Sequence, residues 1–137
     1  MARRKGRILA FQALYSHDVG NVPLDNILDF SWVESSTLER LSSDDTLTFA
    51  RLIISGTLEH LDEIDKLIKD HLVSWDFERL NRVDLAILRM SIYSLLYQKD
   101  IPSPIVIDEA IEISKEYGSD ESYTFINVML DNIRKSL

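Results

Sequence analysis

Four cations stand close together at the start of the chain, Arg3, Arg4, Lys5 and Arg7, and residues 1–17 hold no acid. Such groups within one helical turn bind anions. A helix start adds unpaired N–H groups and a partial positive charge, which suit phosphate. The whole chain is nonetheless acidic, with a net charge of −8 and a sequence pI near 4.8. That balance argues against general nucleic-acid binding. A basic end on an acidic body is a polarised molecule, able to touch an anion at one end and a basic partner elsewhere.

Other chemistry is sparse. His60 and His71 lie beside Glu59 and Asp70, but their spacing is not that of a metal-binding pair, and HExxH is absent. They read as exposed or capping histidines, so no metal and no cofactor is expected. No Gly-rich phosphate loop, GxSxG or thiol motif appears. The carboxylates fall on regular polar faces, and nothing selects one pair for acid–base work. The expectation is therefore not an enzyme. The absence of cysteine excludes disulfides, thiolate zinc and a cysteine nucleophile, and is consistent with a reducing cytoplasm. No signal peptide or membrane span is visible.

These residues need elements to hold them. With 137 residues the chain fits one domain with a real core, and four glycines, three prolines and no β-type alternation point to an all-α fold. The organising stretch is Asn81–Gln98, where Val83, Leu85, Ala86, Ile87, Leu88, Met90, Ile92, Tyr93, Leu95, Leu96 and Tyr97 occupy most of the azimuth. A helix apolar nearly all round is buried on several sides. Asn81 is its expected cap, and Asp84 sits three residues on, where an acid favours the helix dipole.

Before it, Arg3–His17 predicts a first helix, core-facing through Ile8, Phe11, Leu14 and Tyr15. Arg4 and Arg7 fall near that stripe and cannot be buried unpaired. The first turn should therefore overhang the core with its cations free, and Gly6 weakens it by about 1 kcal/mol. A short helix follows over 23–32, then a polar stretch, Glu34–Ser43, with room for one more turn. Ser43 or Asp44 caps the next helix, through Phe49, Leu52, Ile53 and Gly56. Another follows through Leu58, Leu61, Ile64, Leu67, Ile68 and Leu72, continuous with it or kinked near Gly56. Asp62–Lys66 and Asp65–Lys69 are expected i,i+4 pairs. Trp75, Phe77 and Leu80 lead into the central helix.

After it, Ser103 caps a helix with Pro104 in its first position, buried through Val106, Ile107, Ala110, Ile113 and Tyr117 and stopped by Gly118. Asp108, Glu112 and Glu116 line its opposite face. Ser119 or Asp120 caps the last helix, over 121–134, buried through Phe125, Val128, Met129 and Ile133. That makes six or seven helices in two packed groups, without internal repeats.

Three stretches carry a resemblance. One is Ala2-Arg3-Arg4-Lys5-Gly6-Arg7 with Gln12-Ala13-Leu14-Tyr15. The second is Asp84-Leu85-Ala86-Ile87-Leu88-Arg89 with Tyr93 and Tyr97. The third runs from Asp100-Ile101-Pro102 through Ile107-Asp108-Glu109-Ala110, Tyr117-Gly118, Ser122 and Phe125-Ile126-Asn127 to Leu130-Asp131. In this order and spacing the chain resembles, over nearly its whole length, the NusB family of transcription antitermination factors.

The resemblance implies a single NusB-like domain over residues 1–137, folded as a compact seven-helix domain of two three-helix bundles. It implies an adaptor in bacterial ribosomal RNA transcription that binds single-stranded boxA RNA as a heterodimer with NusE, a small-subunit ribosomal protein, and reaches other Nus factors and RNA polymerase through that complex. Arg3, Arg4, Lys5 and Arg7 match the family's arginine-rich start and are the implied phosphate contacts. Tyr15 matches a tyrosine near that surface, and either stacks on a base or belongs to the core stripe. Ser122, Phe125 and Asn127 match the start of the last helix, which lies beside the basic end in the family; Phe125 either stacks or packs. Asp84, and less firmly Glu78, match acids that hold NusE. Val128 stands where the family often has glycine, and Glu121 is an acid beside the implied RNA surface.

The charge distribution fits this picture. Four cations on single-stranded RNA give a log–log salt slope of only about −3. A basic partner on the acidic body would add both cations and base contacts. Two rivals remain. One is the NusB-like domain fused ahead of RNA cytosine methyltransferases, which needs a further cofactor-binding domain. The other is a structural helical homodimer.

Overall fold

A computed structural model describes residues 2–42, 44–73 and 76–137; Ser43 and Trp75, singled out above, lie outside the described residues. Among the described residues there are eight α-helices and one 3-10 turn. The helices are α1 (Ala2–Gly20), α2 (Leu24–Leu28), α3 (Ser35–Leu41), α4 (Thr46–Glu59), α5 (Leu61–His71), α6 (Arg82–Tyr97), α7 (Ser103–Tyr117) and α8 (Ser122–Ser136), with the 3-10 turn at Phe77–Arg79. None of these helices is long and apolar enough to cross a membrane.

The centre is α6, as the sequence predicts. Leu85, Ile87, Leu88 and Ile92 are fully buried on different sides of it. It packs against α1 and α4 on one side and against α5, α7 and α8 on the other, so two helical groups share one axis. Asn81 caps it as expected, its Oδ1 accepting from the Val83 N–H at 2.9 Å and the Asp84 N–H at 3.1 Å.

The expected i,i+4 pairs on α5 are not the ones that form. Arg89 of α6 takes Asp65 in a two-pronged bond, both arms at 2.9 Å, and also approaches Asp18 of α1 at 3.8 Å. Lys69 lies over the Phe77 ring at 4.8 Å, and Lys66 pairs with Asp70 at 3.0 Å. A half-buried guanidinium needs a carboxylate, and that demand outweighs a surface pair worth a few tenths of a kcal/mol.

Helix boundaries differ in six places. Two are small: α1 runs on to Gly20, and α7 begins at Ser103, with Pro102 rather than Ser103 in the cap position. The helix expected over 23–32 stops at Leu28, because Phe30 turns into the left-handed region at φ 55° and buries its ring. The polar stretch holds a whole helix, α3. The break between α4 and α5 falls at His60, not near Gly56. Gly56 lies inside α4 facing the Tyr93 ring, and a Cβ there would come within 2.2 Å of it. Its role is close approach rather than a kink. Finally, α8 begins at Ser122, and neither Ser119 nor Asp120 caps it. The Ser122 Oγ instead accepts from the Ser119 N–H at 3.0 Å, tying the helix back to its own approach loop. Along α8, Met129 and Ile133 are buried as expected, whereas Val128 is 54% exposed and Ile126 and Leu130 fill the core. Asp44 accepts from the Thr46 N–H at 2.9 Å at the start of α4.

Ile87→Ala should cost about 2–5 kcal/mol by urea denaturation, and Gly56→Ala about 1–3 kcal/mol through overpacking against Tyr93. A Gly56→Ala protein as stable as the parent would mean that the α4–α6 contact is loose.

Candidate nucleic-acid interface

The basic turn is the start of α1, and α4 fixes its position. Gly6 is buried against Phe49, where a Cβ would come within 2.8 Å of the ring. The residue that weakens the isolated helix thus lets α1 lie close on α4. Arg3 then sits over the Phe49 ring at 4.2 Å and 3.5 Å from Asp45, with its side chain about half exposed. Lys5 is exposed.

Arg4 and Arg7 behave differently from expectation, since neither cation is free. Both turn toward Glu109 of α7. Arg4 grips it with Nε at 3.2 and 3.1 Å and with a closer Nη2 contact. The Arg7 Nη1 donates to Oε1 at 3.4 Å, and the Arg7 side chain is only 6% exposed. A carboxylate that satisfies both guanidiniums lets Arg7 enter the core, which an unpaired charge could not do. Burial pulls Arg7 below its usual pKa while Glu109 opposes that; the hydrogen bond and charge of Glu109 raise Arg4. Sequence reasoning missed Glu109. The available signal was an acid at the margin of the stripe Val106, Ile107, Ala110 and Ile113, where a half-buried carboxylate demands a cation.

A second corner lies where α6 and α8 begin. Arg79, Leu80, Asn81, Asp84, Ser119, Asp120, Glu121, Ser122, Thr124 and Phe125 enclose a cavity of about 620 Å³. Asp84 is buried rather than exposed, at 8%, and among the described residues its Oδ1 has no hydrogen-bond partner. Ser122, fully buried, stands by the same carboxylate, and its hydroxyl favours the ionised form. Phe125 is half-buried on the cavity wall, Asn127 is exposed on α8, and Glu78 is exposed on the 3-10 turn leading in. The acids expected to meet a protein partner and the α8 residues expected to meet RNA thus share one corner.

That corner is not beside the basic turn. Arg4 meets α7 at Glu109, while Phe11 meets it at Tyr117, with ring centroids 5.3 Å apart. Those two points are about 12 Å apart along the helix, and α8 begins beyond the second. Tyr15, further along α1, is half-buried against the core.

At the opposite end of α6, Arg3, Phe49, Leu52, Tyr93, Tyr97, Gln98, Asp100 and Ile101 line a smaller cavity of about 360 Å³. Tyr97 stacks on His60 with centroids 4.1 Å apart and donates its hydroxyl to Glu63. His71 contacts the Leu67 carbonyl at 2.8 Å. Among the described residues, no group of three or more His, Cys, Asp or Glu side chains is placed to hold a metal.

Comparison with known proteins gives one consistent result. The NusB family model matches residues 4–135. The chain is 50% identical over 134 residues to the transcription antitermination protein NusB of Treponema denticola, covering 98% of this chain and 96% of that protein. It is 39% identical to the protein of the same name from Myxococcus xanthus, covering 99% and 96%. Among solved structures it is similar to T. maritima NusB, with a TM-score of 0.81 and 38% identity, covering 97% of this chain and 90% of that one. The fold also matches a NusB solved with NusE and double-stranded RNA, with a TM-score of 0.81 and 22% identity, covering 99% and 98%.

Asp84 gives a pH signature. Burial raises its carboxyl above the ordinary value, and the Ser122 hydroxyl partly opposes this. A folded-state pKa above the unfolded one means that folding favours the protonated form. The contribution of Asp84 to stability is full below the unfolded value, about pH 4, and is lost as pH rises through the folded one. Against Asp84→Asn, which does not titrate, the parent should therefore lose ground as pH rises above about 4 in urea denaturation. A parent that gains ground over that range would mean the carboxylate is better served ionised.

Proposed function

The chain belongs to the NusB family, and from that premise we propose that it is a transcription antitermination factor that binds boxA RNA of nascent ribosomal RNA together with NusE. Its relatives carry the antitermination name, and a protein of the same fold has been solved with NusE and RNA. The observation that carries the reading is the cationic turn built on Phe49, set on a chain with a net charge of −8. Arg3, Arg4 and Lys5 meet phosphate. Phe125 and Asn127 meet bases further along the strand, with Tyr15 on the α1 side. Arg7 and Ser122 support from beneath, because both are buried. Glu78 marks the face for NusE, a basic partner that offsets the acidic body, with buried Asp84 supporting that face from beneath. Other Nus factors and RNA polymerase are reached through that complex, in the cytoplasm of a bacterium. Residues 1–137 act as one domain and as an adaptor without catalysis of its own.

Fluorescence anisotropy of labelled boxA RNA at two salt concentrations, without and with NusE, tests this reading. Weak binding alone and much tighter, sequence-dependent binding with NusE is expected, and equal affinity for scrambled RNA would overturn it. Arg3→Ala combined with Lys5→Ala should flatten the log–log salt slope by about 1.4, two phosphate contacts at about 0.7 each. Glu78→Lys should weaken NusE binding and leave the circular dichroism spectrum helical. Unchanged affinity for NusE would remove Glu78 from that face.

A further inference from the structure

The Glu109 carboxylate is held in the basic turn by two guanidiniums of different freedom. Arg7 is enclosed, with 6% of its side chain exposed, and takes Oε1; Arg4 is 48% exposed and takes both oxygens. Glu109 itself is 15% exposed, so it reaches the surface at the point where Arg4 does. Glu112 and Glu116, one and two turns further along α7, add negative potential at Arg4. From this geometry we infer that Glu109 is an internal stand-in for phosphate, which sets the RNA affinity of the turn by occupying Arg4. The inference rests on the RNA reading given above and names the residue that tunes it.

A carboxylate and a phosphate present the same kind of anionic oxygen to a guanidinium fork. An incoming phosphate therefore competes with Glu109 for Arg4. Arg7 cannot follow Arg4 outward, because leaving Glu109 would strand a buried charge. The two arginines divide the work: Arg7 anchors Glu109, and Arg4 exchanges it for the RNA strand. In the free protein the turn thus presents Arg3 and Lys5 to solvent, with Arg4 in reserve, and its binding alone is kept weak.

Glu109→Gln separates this from a scaffolding role. Glutamine keeps an oxygen for Arg7 and removes the charge that holds Arg4. The expected result is boxA RNA binding tighter by roughly three- to tenfold at low salt, with the log–log salt slope little changed, because Arg4 meets phosphate in both proteins. In an Arg4→Ala background the same change should give no gain. If Glu109 served only to position the arginines, Glu109→Gln would weaken binding, which overturns the inference. Should Glu109→Gln fail to fold by circular dichroism, Arg4→Ala alone decides. A slope flatter by about 0.7 supports exchange onto phosphate, and an unchanged slope excludes it. Absence of salt-dependent RNA binding by the parent would remove the RNA reading first, and this inference with it.

Discussion

A helix buried on nearly every side has few places for chemistry, and α6 is such a helix. Its flanks are taken by α1, α4, α5, α7 and α8. A polar group along its middle must find a partner inside the protein, as Arg89 does with Asp65 and Asp18. The two ends are what remain open. The larger cavity forms at the start of α6, between Asn81, Asp84 and the first turn of α8, and the smaller one at its end, beside Tyr97, Gln98 and Arg3. The hydrophobic effect, by demanding that α6 be covered, thereby decides where a ligand or partner can be met.

Electrostatics then differentiates the ends. The start of α6 carries a buried acid backed by Ser122 and flanked by Asp120 and Glu121. The other end lies under the cationic first turn of α1. The contrast is smaller than the sequence implies, because much of the positive charge is matched internally by Asp45 and Glu109. What distinguishes the basic turn is its mobility of partner: exposed Arg3 and Arg4 can trade a carboxylate for another anion, and enclosed Arg7 cannot.

Much of the fold was legible in the sequence, and the reason is periodicity. The all-round apolar pattern of 83–97 found the central helix, the Asn81 cap marked its start, and the two-group arrangement followed. Legibility failed where the outcome depended on which residue of another helix stands opposite. Asp65 pairs across to Arg89 rather than along α5, Gly56 serves Tyr93, and Val128 points outward although its spacing fits a stripe. At the site the same limit applied. The cationic cluster was plain from composition, but the burial of Arg7, Asp84 and Ser122 and the role of Glu109 depend on neighbours distant in sequence.

Arg4 and Glu109 are separated by 105 residues. A chain made from its N-terminus at about 5–20 residues per second exposes the basic turn to solvent for roughly five to twenty seconds before Glu109 exists. Within that interval α4 and then α6, the surfaces α1 packs on, are themselves made. The first helix synthesised thus meets α4 and α6 before it meets its carboxylate on α7. Closure of the Arg4–Arg7–Glu109 cluster is a late event in the life of the nascent chain, and a young chain carries Arg4 and Arg7 without the carboxylate that the finished protein sets against them.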